Sequence, residues 1–358
     1  MSKNLICKRG FSSALALMVG LAGMCSVAMA QRGPDQHSDP VHDAQGNTEQ
    51  KIHHRLSPEV FLQNPFSGHG AALSARAPTA GSTAAATSPI TYHGGPVMGT
   101  VSKVVLIWYV NWNQTNGTDT PAGQQIVRDA IWGMAQQNLA SNYSGITTGF
   151  SSNLGLYTQT GSTAVTQASS ATIAEFTQAA KSNYGGQTLT DSSVFSLVKA
   201  FAGVGDSNAI YLVLSSSDIK ESSGFLTKYC GWHSYGTIGA NKIKFGFIGN
   251  PNKSLAACAV QTVSPNGNAG VDAMVSVIAH ELVETVTDPL LNAWYNSAGS
   301  ENSDMCSWTF GSQVQQTNGA YWNVNLPTSN GQSRNYLLQR QLGVKDSKCY
   351  INATGAVQ

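Results

Sequence analysis

The run Ala279-His280-Glu281-Leu282-Val283-Glu284-Thr285-Val286-Thr287-Asp288-Pro289 constrains this chain more than any other segment. It closes a stretch with helical spacing, Gly270 to Thr287. There Val271, Met274, Val275, Ile278, Leu282 and Val286 form an apolar stripe suited to packing on a sheet. At about 3.6 residues per turn, His280, Glu284 and Asp288 stack on the opposite side, with Glu281 turned roughly 100° away. Only 11% of the residues are charged, against roughly 25% in soluble domains, so an imidazole and three acids within nine positions stand out. Acids near the C-terminal end also oppose the helix dipole. A divalent cation would compensate them; the plain alternative is a solvated polar face.

The string is close to the His-Glu-x-x-His zinc signature, with Glu284 in place of the second imidazole. Further ligands are expected downstream, where Glu301 and Asp304 follow Glu284 by seventeen and twenty residues. The expected shell is His280 and Glu284 with Glu301 or Asp304, and a water at the open position. Glu281 is then the general base. Asp288 is a ligand, an acceptor that orients His280, or a turn-former before Pro289, and the last two roles come ahead of ligation. Two carboxylates and one imidazole suit Zn²⁺, with Ca²⁺ or Mn²⁺ as competitors. His93 and His233 are assigned structural roles. Trp108, Trp112, Trp232, Trp294 and Trp322 are assigned to core packing, with a sugar platform as the alternative.

Met1 to Ala30 reads as a secretory signal: Lys3, Lys8 and Arg9, an apolar run from Ala14 to Val27, and the small-x-small site Ala28-Met29-Ala30. Its removal leaves Cys230, Cys258, Cys306 and Cys349. An even number in an exported chain implies two disulfides. The pairing Cys230–Cys258 and Cys306–Cys349 is favoured because each pair brackets a separate region. A net charge of +1 leaves no electrostatic footprint for nucleic acid. No stretch is long and apolar enough to read as a membrane span.

Residues 31–90 read as a flexible leader or linker, either an inert spacer or a pro-segment, and residues 91–353 as one globular domain. Val101 to Trp112, Ala209 to Leu214 and Ile243 to Ile248 read as strands. Pro121 to Leu139, Ala171 to Ser182 and Ser193 to Phe201 read as helices, with a hairpin around Tyr321 to Leu338. Strands alternating with helices predict an α/β fold, a mixed sheet flanked by helices.

Several motifs carry a resemblance. Tyr92-His93-Gly94-Gly95-Pro96-Val97-Met98, Leu106-Ile107-Trp108-Tyr109, Cys230-Gly231-Trp232-His233, Pro265 to Met274 and Thr285-Val286-Thr287-Asp288-Pro289 together resemble the EXORDIUM / phosphate-induced family. The likeness is to a bacterial secreted member with an intact zincin-like His-Glu-x-x-Glu helix. It implies secretion and a single α/β domain but prescribes no activity.

These readings lead to a secreted, monomeric, zincin-like metal-dependent hydrolase, with a peptide or protein as substrate. The alternative is a non-catalytic extracellular binding or signalling protein, associated with a cell-wall polymer, whose metal site is structural or absent.

Overall fold

The structure is a computed structural model. It describes residues 41–42, 48–49, 51–55, 89–98, 101–139, 172–178, 187–343 and 347–351. The predicted signal segment and most of the leader lie outside them. The described residues belong to one compact unit, Gln36–Gln358.

In chain order the principal elements are β1 (Lys51–Arg55), β2 (Lys103–Tyr109), α1 (Pro121–Leu139), β3 (Thr172–Gln178), α2 (Asp191–Ala202), β4 (Ala209–Ser215), β5 (Tyr229–Ile238), β6 (Asn241–Gly249) and α3 (Ala269–Thr287). Two hairpins follow, β7 (Val324–Pro327) with β8 (Ser333–Tyr336), and β9 (Gln341–Gly343) with β10 (Lys348–Tyr350). One mixed sheet has the order β1-β5-β6-β4-β2-β3. Strands β6, β4, β2 and β3 are parallel neighbours, while β5 runs antiparallel to both β6 and β1.

Alternation along the strands builds two cores. Val104, Leu106 and Trp108 of β2, with Ile210, Leu212 and Leu214 of β4, join α1 and α3 on one face. Val105, Ile107 and Tyr109, with Tyr211 and Val213, meet α2 on the other. Burial on both faces explains why these strands read as unbroken apolar runs. Local chemistry sets the helix starts. The Thr120 hydroxyl accepts from the Gly123 N–H ahead of α1, Thr190 and Ser193 make a capping box for α2, and Asn268 accepts from the Val271 N–H to cap α3.

One sequence expectation is corrected. Ala171 to Ser182 is not a helix: Thr172–Gln178 is a strand that pairs in parallel with β2. Ladder bonds to a buried neighbour, with Ile173 and Phe176 as good strand formers, outweigh a weak helical spacing. The alternative of a solvated acidic face on α3 does not hold, since the helix is buried all round from Gly270 to Thr287. Strand β5 escaped the sequence reading because Gly231, His233, Ser234 and Gly236 interrupt its apolar pattern. Within the leader, Lys51–Arg55 forms the edge strand beside β5.

Both disulfides have the expected pairing, Cys230–Cys258 with Cα atoms 5.5 Å apart and Cys306–Cys349 with 5.7 Å. The bonds fit an extracellular protein. Among the described residues no helix is long and apolar enough to cross a membrane.

Gly231 lets α3 lie close against β5. A Cβ there would stand 2.6 Å from Val277 Cγ1 and 3.1 Å from the Phe247 carbonyl oxygen. Gly231→Ala is therefore expected to overpack this contact and cost about 1–3 kcal/mol, measured as a lower urea midpoint. An unchanged midpoint would mean that α3 can shift freely on the sheet.

Candidate metal centre

Three elements meet at the last turns of α3. The helix itself supplies His280, Glu281 and Glu284; β5 supplies His233; and the loop that returns after α3 supplies Glu301 and Asp304. Asp288 starts that return. Its Oδ1 accepts the N–H groups of Asn292 (2.6 Å) and Ala293 (2.7 Å), turning the chain at Pro289. Asn296 accepts from the Ser300 N–H at 2.8 Å, which closes the next turn. The segment is then fastened to its surroundings. Ser303 Oγ lies within hydrogen-bond reach of the His280 carbonyl (3.2 Å) and of Gln341 Oε1 of β9, with its one proton available to either, and Cys306 is tied to Cys349.

The loop brings its acids onto the helix. His280 Nε2 lies 3.1 Å from Glu284 Oε1 and 3.5 Å from Asp304 Oδ1. The Asp304 N–H donates to Glu284 Oε1 at 2.9 Å, fixing that carboxylate. On the far side of the same carboxylate, His233 Nε2 lies 3.8 Å from Glu284 Oε2 and 2.8 Å from Glu301 Oε2. Glu284 thus faces two imidazoles, one through each oxygen. His233, His280, Glu281, Glu284 and Glu301 are wholly buried, and the Asp304 side chain keeps 12% of its surface.

Electrostatics set the demand. Burial raises the pKa of Glu284 to about 7, with the Asp304 charge adding to it and His280 opposing. Burial, and then the charges of Glu284, Asp288, Asp304 and Glu281, hold Glu301 well above the ordinary carboxylate range. Burial pushes Asp288 to about 6 against the amides it accepts. For His280, burial disfavours the imidazolium, but Glu284, Asp304 and Glu281 outweigh it and keep the pKa well above its usual value. His233 goes the other way, to about 3, through burial and the neighbouring His280. The His233–Glu301 contact, at 2.8 Å, is within hydrogen-bond distance. Among the described residues no lysine or arginine forms an ion pair with Glu284, Asp288 or Glu301. Buried carboxylates in that position take up protons or a cation.

The donors fit a cation. Ligands at about 2.0–2.2 Å around a tetrahedral ion sit about 3.3–3.6 Å from one another. His280 Nε2 stands at 3.1 and 3.5 Å from its two carboxylate oxygens, and His280, Glu284 and Asp304 each offer one ligand atom within 4.8 Å of the others. Glu284 Oε2 is buried and accepts no hydrogen bond among the described residues. Such an atom calls for a partner.

Each expected site residue therefore has a defined place. His280, Glu284 and Asp304 converge on one point, and Glu301 joins Glu284 on the adjoining side. Asp288 belongs to neither group and serves the turn. Glu281 is buried next to the cluster, where its charge acts on both His280 and Glu301. His93 stacks on Tyr295 with ring centroids 3.8 Å apart, outside the cluster. His233 is the residue that sequence reasoning missed. Only its place three residues after a disulfide cysteine could have hinted that it was held against the core.

The pattern that defines the phosphate-induced protein 1 conserved region matches residues 90–351, which include every member of this cluster. The chain belongs to the phosphate-induced protein 1 family. It is similar to Protein EXORDIUM-like 3 of Arabidopsis thaliana, 29% identical over 285 residues that cover 69% of this chain and 78% of the relative. Protein EXORDIUM-like 5 of the same plant is 29% identical over 250 residues, 62% of this chain and 64% of that one. Protein PHOSPHATE-INDUCED 1 of Nicotiana tabacum is 28% identical over 291 residues, 72% and 86%. No solved structure matches the chain.

Proposed function

We propose that this family member is an exported, divalent-cation-dependent hydrolase that cleaves peptide bonds. The observation that carries the reading is the convergence of His280 Nε2, Glu284 Oε1 and Asp304 Oδ1 from a helix and a disulfide-tethered loop, with Glu281 alongside. His280, Glu284 and Asp304 would hold the cation, with Zn²⁺ the best match and Mn²⁺ or Ca²⁺ as competitors. When bound, the ion would polarise a carbonyl and acidify a water. The chain's own part is threefold. Glu284 and Asp304 neutralise the charge, the buried walls exclude bulk water, and Glu281 takes a proton from the attacking water and returns it to the leaving nitrogen. Asp304, the least buried ligand, marks the side from which solvent reaches the site.

The burial of the donors favours a second reading, a non-catalytic extracellular protein whose cation locks α3 to the loop. Closed sites are typical of structural ions. Glu281→Gln separates the two. The hydrolase reading expects unchanged zinc affinity and a loss of at least about 100-fold in peptide hydrolysis. Equal, non-zero turnover in wild type and variant would remove Glu281 from the mechanism, and no turnover in wild type against a broad peptide library would leave the structural reading. Trp232 is fully buried and so offers no sugar platform.

A further inference from the structure

We propose that Glu284 bridges two cations, with His233, Glu284 and Glu301 forming a second divalent-cation site beside the one at His280, Glu284 and Asp304. The inference deepens the metal reading above and rests on it. Each carboxylate oxygen of Glu284 has its own set of neighbours. Oε1 faces His280 and Asp304, whereas Oε2 faces His233 and Glu301. His233, Glu284 and Glu301 are fully buried and each offers one ligand atom within 4.8 Å of the others; His233 Nε2 lies 3.8 Å from Glu284 Oε2 and 2.8 Å from Glu301 Oε2.

An independent observation points into this space. Glu284 Oε2 is buried and accepts no hydrogen bond among the described residues, and Glu301 Oε1 is in the same condition. The Asp304 N–H fills only Oε1, so the cation at the first site leaves Oε2 unanswered. Glu301 also hydrogen-bonds to the Asp288 side chain, so this side of the cluster holds a second carboxyl beside it. One imidazole and two carboxylates make a hard, anionic donor set suited to Zn²⁺ or Mn²⁺. A carboxylate with one oxygen towards each imidazole has the placement needed to hold two ions as a pair; His233 and Glu301, now 2.8 Å apart, must spread for both to reach one ion. A second ion would also join β5, which the first site does not touch, to α3 and the return loop.

The test is a count. The full-length protein is stripped with chelator, dialysed against Zn²⁺ and assayed for bound zinc per chain. The expected result is two equivalents in wild type, one in His233→Ala and one in Glu301→Gln, with Asp304→Asn also falling to one. A single equivalent in wild type overturns the second site and leaves the first standing; none overturns both. Two equivalents retained in both His233→Ala and Glu301→Gln would remove these residues from the site. Mn²⁺ titration followed by electron paramagnetic resonance needs no variant. A bridged pair gives an exchange-coupled spectrum as the second equivalent binds, and uncoupled signals throughout would overturn the bridge.

Discussion

Zinc at 100-fold above its dissociation constant is expected to raise the melting temperature of the wild-type protein by about 5–10 °C and to leave Glu284→Gln unmoved. Ligand binding to the folded state alone stabilises by about 2.7 kcal/mol at that concentration, and each kcal/mol moves the midpoint of a domain of this size by about 2–4 °C. Glu284 contributes an oxygen towards each imidazole, so an amide in its place removes the charge from both sides and an oxygen ligand from one of them. Without the cation the comparison changes sign. The wild-type carboxylate is buried with one oxygen unanswered, and the variant is therefore expected to be no less stable than wild type. The pH dependence follows from the direction of the shift. The folded-state pKa of Glu284 is raised to about 7 from an ordinary 4.5, so the cation-free protein holds this group's full contribution below 4.5. It loses that contribution as pH rises through 7. Cation affinity rises over the same interval because the proton must leave before the metal binds. An equal zinc-induced shift in wild type and variant, by differential scanning calorimetry, would remove Glu284 from the site.

Replacing both Cys306 and Cys349 by serine is expected to cost about 2–4 kcal/mol, seen as a melting midpoint about 4–16 °C below wild type. The bond closes 43 residues of chain, and the loss of that restraint raises the entropy of the unfolded state. It also affects the candidate site directly. Cys306 ends the short 3₁₀ turn that begins at Asp304, so freeing it loosens a metal ligand. Zinc affinity of the folded variant is expected to fall about 10–100-fold, the range seen when supporting contacts of a metal site are lost. Isothermal titration at a temperature where the variant remains folded reads this separately from stability. Undiminished affinity would show that the Ser303 contacts to His280 and Gln341 hold the loop without the disulfide.

Much of this architecture was legible beforehand because local periodicity and burial agree. Pro121–Leu139 and Ala269–Thr287 are helices within a residue of their expected bounds, since proline, asparagine and threonine mark their starts. Strands β2, β4 and β6 were legible because burial on both faces demands unbroken apolar runs. Thr172–Gln178 was misread because an edge strand is defined by its neighbour's hydrogen bonds, which leave no trace in its own spacing. Tyr229–Ile238 was overlooked because its glycines and histidine serve the helix and the site, not the strand's own pattern.

His280, Glu281 and Glu284 are adjacent in sequence, so helical geometry alone placed them together. The same holds for the choice of Glu301 and Asp304 as partners, once a tethered return loop is assumed. Two facts required the tertiary structure. The polar side of α3 is sealed, because the loop and β5 close over it, and no helical wheel can distinguish solvent from a second layer of protein. The position of His233, 47 residues before His280, depends on β5 packing against that helix and on Gly231 admitting Val277. Contacts between elements far apart in the chain are fixed by packing, and sequence spacing carries no record of them.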